Sequence, residues 1–444
     1  MIERTGIPKS QPDEDPMLFE HDETQPNLRI DQIKVVGLFG HLNYTIDAAP
    51  SDVSILYGDN GTGKTTILKL LYHTLSSEDD RGHRTFLAKV PFQQFIVSFA
   101  QGHIVEASRK DPVSGPFKMT VAVVGQQIVT HNFITSEGRV RNQEESTYGP
   151  LLDSLGKLSL GLFLLPENRN IESNLWEDGR SGKSRRSRDL ELVFDEKSPT
   201  FDNFVEAAMT RAFTWIRRSV LSATNRGETD TSKIYFEIVK RLVERSAGRE
   251  SLFSFEEIGS RLSALKSRSE QFTKFGLTPS FDTKEIGDLL VAASEDQRSG
   301  IVEVLTPYIK TFSARLDALE TTRETLQTFE RIFNEFYNHK RISIDIRGGI
   351  KFFQDHDNSG IAPENLSSGE KQLLLLFCNI LIARSRPSLF IIDEPELSLN
   401  IKWQRSLIHE LRNCVKDCNV QFFMATHSLE MISSSRMSTI KLEP

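Results

Sequence analysis

A chain of 444 residues, 38% hydrophobic and 26% charged, has the make-up of a folded soluble protein with room for about two to three domains. Its net charge of −7 excludes a molecule that grips polyanions over its whole surface, so any nucleic-acid contact needs a local basic patch. The three cysteines, Cys378, Cys414 and Cys418, include one pair at helical spacing and no second pair; they read as thiols in a reducing cytosol rather than a metal site.

Met1 to Asn27 carry seven acidic side chains, two basic ones and four prolines, the composition of a flexible acidic tail. No charged-then-apolar leader opens the chain. The longest apolar run, Leu373 to Ala383, is too short for a bilayer and holds Asn379. These features predict a cytoplasmic protein without a membrane contact.

From residue 28 the pattern changes. Ile30 to Leu38 and Asn43 to Ile46 read as strands. The stretch Ser54 to Leu71, SILYGDNGTGKTTILKLL, then runs strand, glycine-rich loop, helix, and matches G-x-x-x-x-G-K-[ST] at every fixed position. Glycines let successive backbone N–H groups turn toward one anion, and the helix beginning near Lys64 adds the positive end of its dipole. The residues of this candidate ATP site are Gly58, Asn60, Gly61, Gly63, Lys64, Thr65 and Thr66. Lys64 reaches the β- and γ-phosphates, and the Thr65 hydroxyl belongs in a Mg²⁺ shell.

A β-rich meander is expected next, in Phe92 to Phe99, Ile104 to Ser108, Phe117 to Val124 and Gln127 to Phe133, broken by short turn sequences. Leu160 to Leu165 reads as a buried strand running into Pro166-Glu167-Asn168-Arg169. Residues 173–200 are polar, and Arg180, Lys183, Arg185, Arg186 and Arg188 make them locally basic. Gly182-Lys183-Ser184 imitates a second phosphate loop but lacks the first glycine and a preceding strand. A mobile, solvated basic loop is the plainer reading, and a DNA or RNA phosphate contact is the alternative.

Residues 201–340 are mostly helical by pattern. Thr306-Pro307 predicts a helix start, followed by an amphipathic helix from Tyr308 to Lys340. Strands return at Ile342 to Ile346 and Ile350 to Phe353. Helix Gly369 to Ala383, strand Leu389 to Ile392, helix Lys402 to Val415 and strand Gln421 to Ala425 then alternate, which predicts a parallel sheet with flanking helices. The fold class is therefore α/β: a phosphate-loop domain with an antiparallel β subdomain. Residues 28–172 and 341–444 form its two parts, and the helical lobe 201–340 is a large insertion.

Three further segments carry chemistry. Leu389 to Pro395, LFIIDEP, is a buried strand ending in two carboxylates: Asp393 to hold Mg²⁺ and Glu394 to polarise a water for attack on the γ-phosphate. Leu366 to Gln372, LSSGEKQ, reads as a capped helix start. Ala425-Thr426-His427-Ser428 follows the last strand.

With the phosphate loop, these segments resemble the ABC-type ATPase superfamily, in particular its OLD- and SMC-like branch. LSSGEKQ resembles that family's signature motif, with Ser368 in place of the middle glycine and Glu370 in place of the final glutamine. The resemblance implies that Ser367, Gly369 and Glu370 grip the γ-phosphate of nucleotide on an opposite subunit, and that His427 is a switch histidine. Pro395 to Asn400, PELSLN, stands at the D-loop position; many relatives have Asp where Asn400 stands, so no catalytic role follows for Asn400. The family's Q-loop glutamine is missing from PENR, where Glu167, Asn168 or Arg169 stands in for it.

The resemblance covers about residues 28–172 and 341–440 and implies a cytosolic ATPase whose homodimer sandwiches two ATP molecules. Many relatives serve anti-phage systems such as Septu, Gabija or PARIS. OLD nucleases carry a Toprim domain after the switch histidine, for which the 17 residues after His427 leave no room. A sensor or scaffold for a separate effector, a nuclease, is therefore expected. A DNA-repair or chromosome-maintenance ATPase that clamps DNA through the Arg180–Arg188 loop is the alternative. The soluble subunit of a membrane transporter fits less well, given Ser368, Glu370 and the helical insertion.

Overall fold

The computed structural model describes residues 28–48, 52–78, 82–111, 113–136, 139–140, 148–167, 172–173, 201–244, 253–279, 284–416, 418–435 and 438–443. The acidic tail, Asn168, Arg169 and the Arg180–Arg188 segment lie outside the described residues. In chain order the first part contains β1 (Ile30–Leu38), β2 (Leu42–Asp47), β3 (Val53–Tyr57), α1 (Lys64–Leu75), α2 (His83–Lys89), β4 (Gln94–Phe99), β5 (Ile104–Ser108), β6 (Phe117–Ala122), β7 (Val129–Phe133), the short β8 (Thr135–Ser136) and β9 (Arg139–Val140), α3 (Gly149–Gly156), β10 (Gly161–Leu165) and β11 (Glu172–Ser173). The helical segment holds α4 (Phe201–Glu244), α5 (Phe255–Thr273), α6 (Lys284–Ala292) and α7 (Glu295–Phe336). The last part holds β12 (Lys340–Asp345), β13 (Gly349–Gln354), β14 (Gly360–Ile361), α8 (Ser368–Ala383), β15 (Ser388–Asp393), α9 (Ile401–Val415), β16 (Val420–Ala425), α10 (Leu429–Ser434) and β17 (Thr439–Lys441).

The central sheet has the order β11-β10-β15-β16-β3-β17, with every pairing parallel except β10–β11. Its strands are apolar runs because both faces are covered. The period of two then assigns neighbouring residues to different cores. Val53, Ile55, Phe163, Leu165, Phe390, Ile392, Phe422 and Met424 enter the core on the side of α8 and α9. Leu56, Leu162, Leu164, Leu389, Ile391, Phe423 and Ala425 face the core that contains α1. That second core also takes the inner faces of the antiparallel sheet β2-β1-β4-β5-β6-β7. Gln421 rivets the two sheets: its Oε1 accepts from the Ile30 N–H at 2.7 Å and its Nε2 donates to the Ile30 carbonyl at 3.1 Å.

The long helices pack on the outer side of α8. Phe329 and Phe333 of α7 meet Phe377 of α8 with ring centroids 6.4 and 5.6 Å apart, and Phe336 lies 6.2 Å from the same ring. Ion pairs add specific attachments: Lys371 to Asp202 at 2.6 Å joins α8 to α4, and Arg331 to Glu410 at 2.8 Å joins α7 to α9.

The expected parallel sheet, antiparallel subdomain and helical segments are all present. The helix expected to begin at Thr306-Pro307 instead begins at Glu295 and runs 42 residues through Pro307. Gln297 closes the true start by accepting from the Ser294 N–H at 3.1 Å. An interior proline costs about 3 kcal/mol. The apolar face buried on both sides of it, from Val302 and Ile309 to Phe336, outweighs that cost. Strand β17, which flanks β3 opposite β16, was not anticipated; Leu442 after it is held by its N–H to the Tyr57 carbonyl at 2.8 Å.

Phe377 is fully buried among these rings. Phe377→Ala is expected to lower unfolding free energy by about 3–5 kcal/mol in denaturant titration. A loss under about 1 kcal/mol contradicts the packing described.

Candidate functional site

Because β10, β15, β16 and β3 are parallel, their C-terminal ends share one edge of the sheet. The loops that leave this edge carry Glu167, Asp393-Glu394, Thr426-His427 and the phosphate loop. Open α/β sheets bind ligands at this edge.

The phosphate loop is braced from several directions. Thr62 donates its hydroxyl to the Asp59 carbonyl at 2.9 Å, and the Tyr44 hydroxyl reaches the Thr62 carbonyl at 2.9 Å. Gly63, which starts α1, has φ +82, and a Cβ there would stand 2.8 Å from Leu38 Cδ2, so both conformation and space demand glycine. Asn60 and Gly61 are exposed at the tip; Gly58 lies partly covered at the loop's base, and Thr66 half-buried in the first turn of α1. The Lys64 ammonium folds back onto its own loop, donating to the carbonyls of Gly58 at 2.9 Å and Asp59 at 3.0 Å. Burial lowers the Lys64 pKa from the usual lysine value, while Asp393, Glu394 and Asp59 oppose the shift. Such a cation, held by two neutral carbonyls, suits a bound polyphosphate.

Helix α1 and strand β15 meet at the Thr65 hydroxyl, which donates to Asp393 Oδ1 at 3.2 Å. Asp393 is buried, and its Oδ2 has no hydrogen bond among the described residues. Burial raises the Asp393 pKa, with Glu167 and Glu396 adding to it and the Thr65 hydroxyl opposing. An orphaned buried carboxylate oxygen costs about 1–3 kcal/mol or more, a cost that a hard cation would remove. The hydroxyl–carboxylate pair therefore fits a hard divalent cation such as Mg²⁺, which Thr65 and Asp393 could hold.

Glu394 ends the strand in a left-handed turn, φ +48, and its N–H donates to the Ala425 carbonyl at 2.9 Å. That conformation costs a non-glycine residue about 1–3 kcal/mol and marks a built position. The Glu394 carboxyl is pushed above the usual range by burial first, then by Glu167, Glu396 and Asp393; His427 pulls the other way. Glu167 thus acts on both carboxylates of the strand end. His427 is exposed, with its backbone N–H held by Glu396 at 2.8 Å.

At the start of α8 the Ser367 side chain caps the helix, accepting from the Glu370 N–H at 3.4 Å. Glu370 closes the box by accepting from the Ser367 N–H at 2.7 Å, and its carboxylate also pairs with Lys340 at 2.7 Å. The Glu370 carboxylate is thereby engaged in shaping the helix start. Ser367 and Ser368 remain exposed. Gly369 is set against the loop after Glu394: a Cβ there would stand 2.4 Å from the Ser398 carbonyl oxygen. Asn400 is the N-cap of α9, accepting from the Trp403 N–H at 2.9 Å. Sequence reasoning missed Glu396, which binds the whole 426–428 turn; its only signal was a carboxylate inside PELSLN.

A family model described as an AAA ATPase domain matches residues 29–432. No curated protein matches the chain significantly. Similar solved structures include the Smc head domain with an extended coiled coil bound to the C-terminal domain of ScpA from Pyrococcus furiosus, at 14% identity over 92% of each chain and a TM-score of 0.37. The Smc head domain with a coiled coil and joint from Pyrococcus yayanosii is another, at 16% identity, 92% and 93% coverage and a TM-score of 0.35.

A raised Glu394 pKa means that the base form is lost at a higher pH than for an ordinary glutamate. A reaction that used Glu394 as its base would show an acid limb of kcat/KM above the ordinary carboxylate range. Glu167→Gln removes one negative neighbour, lowers the Glu394 pKa and moves that limb to lower pH. An unmoved limb contradicts the proximity of Glu167.

Proposed function

The chain belongs to the AAA ATPase domain family, and on that premise we propose that it binds Mg²⁺·ATP at Gly58–Thr66 and hydrolyses it with Glu394 as general base. The observation that carries this reading is the Thr65–Asp393 contact at 3.2 Å, with the orphaned Asp393 Oδ2 adjoining Glu394 in sequence. Backbone N–H groups of the loop and the start of α1 cradle the phosphates. Lys64 exchanges its loop carbonyls for phosphate oxygens, and Glu394 orients the attacking water and takes its proton. Mg²⁺ held by Thr65 and Asp393 would neutralise phosphate charge. His427 approaches the γ-phosphate from the adjacent strand end.

The working unit we propose is a head-to-head homodimer. Ser367 and Ser368 are exposed in front of the buried Gly369 and Glu370, and among the described residues Ser367 hydrogen-bonds within its own helix start. Such a helix N-terminus suits phosphate bound to a second copy, with Ser367 at the contact and the buried Gly369 contributing through its backbone behind it. ATP closes the dimer and hydrolysis opens it. The motion passes to the lobe 201–340, which α7 and α4 tie to the core, and through it to a separate effector. Anti-phage defence with a nuclease effector is the setting suggested by the sequence resemblance. The DNA-clamping alternative depends on Arg180–Arg188, outside the described residues, and no structural observation favours it.

Steady-state hydrolysis and nucleotide binding test the site together. Glu394→Gln is expected to lower kcat by about 10²–10⁴-fold while nucleotide still binds. Lys64→Ala should lose binding itself. Wild-type turnover in Glu394→Gln contradicts the assignment.

A further inference from the structure

We propose that Glu396 is a positioning residue for hydrolysis: it locks the turn Thr426–Ser428 against the exit of β15 and so sets His427 for turnover. The proposal rests on the ATPase reading above.

Three donors converge on one oxygen. Glu396 Oε1 accepts from the Thr426 hydroxyl at 2.6 Å, the His427 N–H at 2.8 Å and the Ser428 N–H at 3.0 Å. Charge-assisted bonds of this kind are short and strong, and together they fix the backbone on both sides of His427. The Thr426 hydroxyl also accepts from the Ser428 N–H at 2.9 Å, which closes the turn on itself. Glu396 Oε2 is buried without a hydrogen bond among the described residues, so the carboxylate is committed to the turn through a single oxygen.

The arrangement is more than a cap for the short helix that follows. Helix α10 has its own cap, the Ser428 hydroxyl accepting from the Met431 N–H at 3.3 Å. The bonds from Glu396 act upstream, where the imidazole-bearing residue leaves the sheet.

The same loop touches α8. Gln372 donates to the Pro395 carbonyl at 3.3 Å, and Gly369 leaves no room for a Cβ against the Ser398 carbonyl. Residues 395–398 therefore join the start of α8 to the His427 turn, with Glu396 as the hydrogen-bonded link. A displacement of α8 would be felt at His427 through that link.

The test uses the full chain with Mg²⁺·ATP and compares kcat, equilibrium binding of a fluorescent ATP analogue and Tm. Glu396→Ala is expected to lower kcat roughly 10- to 100-fold, as misplacement of a reacting group does, with nucleotide affinity changed less than about threefold. Glu396→Gln keeps an acceptor oxygen for the three donors and should recover most of the rate. His427→Ala combined with Glu396→Ala should be no slower than His427→Ala alone, because one acts through the other. If Glu396→Ala does not fold, Thr426→Val, which removes one donor, should show a smaller loss of kcat at unchanged affinity. Wild-type kcat in Glu396→Ala, a Gln variant as slow as Ala, losses that multiply with His427→Ala, or wild-type kcat in Thr426→Val each overturn the proposal. A wild-type chain without turnover defeats the ATPase reading instead.

Discussion

Everything at the candidate site depends on the parallel pairing of four buried strands. Leu165 pairs with Ile392, Asp393 with Ala425, and Ala425 with Leu56, so the pairs step across the sheet toward one edge. Parallel strands with apolar residues on both faces cannot slip by one residue without moving a whole face into the wrong core. That constraint brings residues more than 300 positions apart, Thr65 and Asp393, within hydrogen-bond reach. Loops leaving such an edge can carry strain, as Glu394 does, because the strands beneath them are fixed.

The sheet edge collects charge as well as geometry. Burial raises the pKa of both Asp393 and Glu394, and Glu167 and Glu396 push each of them further in the same direction. In the free chain Lys64 balances part of this while bonded to its own loop. A triphosphate with a divalent cation meets both needs, with anion for Lys64 and cation for Asp393. In the proposed reading the site would be most at rest when loaded, which would give a physical basis for coupling occupancy to a change of assembly.

The sheet and the placement of its edge loops were legible in the sequence because phosphate loops and strand-end carboxylates are short, local and dense in fixed residues. The strand runs LFIID and QFFMA announced a two-sided sheet by composition alone. What escaped was long-range or cooperative. Pro307 looked like a helix start because the apolar face on both sides of it counts only once α7 is packed. Thr439–Lys441 is too short to signal a strand and becomes one through β3. Glu370 stands in a motif by sequence, and its carboxylate's part in the capping box and its pairing with Lys340 emerge only from the packed structure. Glu396 carried no local pattern, since its partners lie about 30 residues away on another strand end.

The central claim is that two copies of this edge face each other across nucleotide. Light scattering of the Glu394→Gln chain, with and without Mg²⁺·ATP, measures this most directly. A mass that doubles only with Mg²⁺·ATP, and no longer does so in Ser367→Arg, agrees with the account. A mass that ignores nucleotide contradicts it.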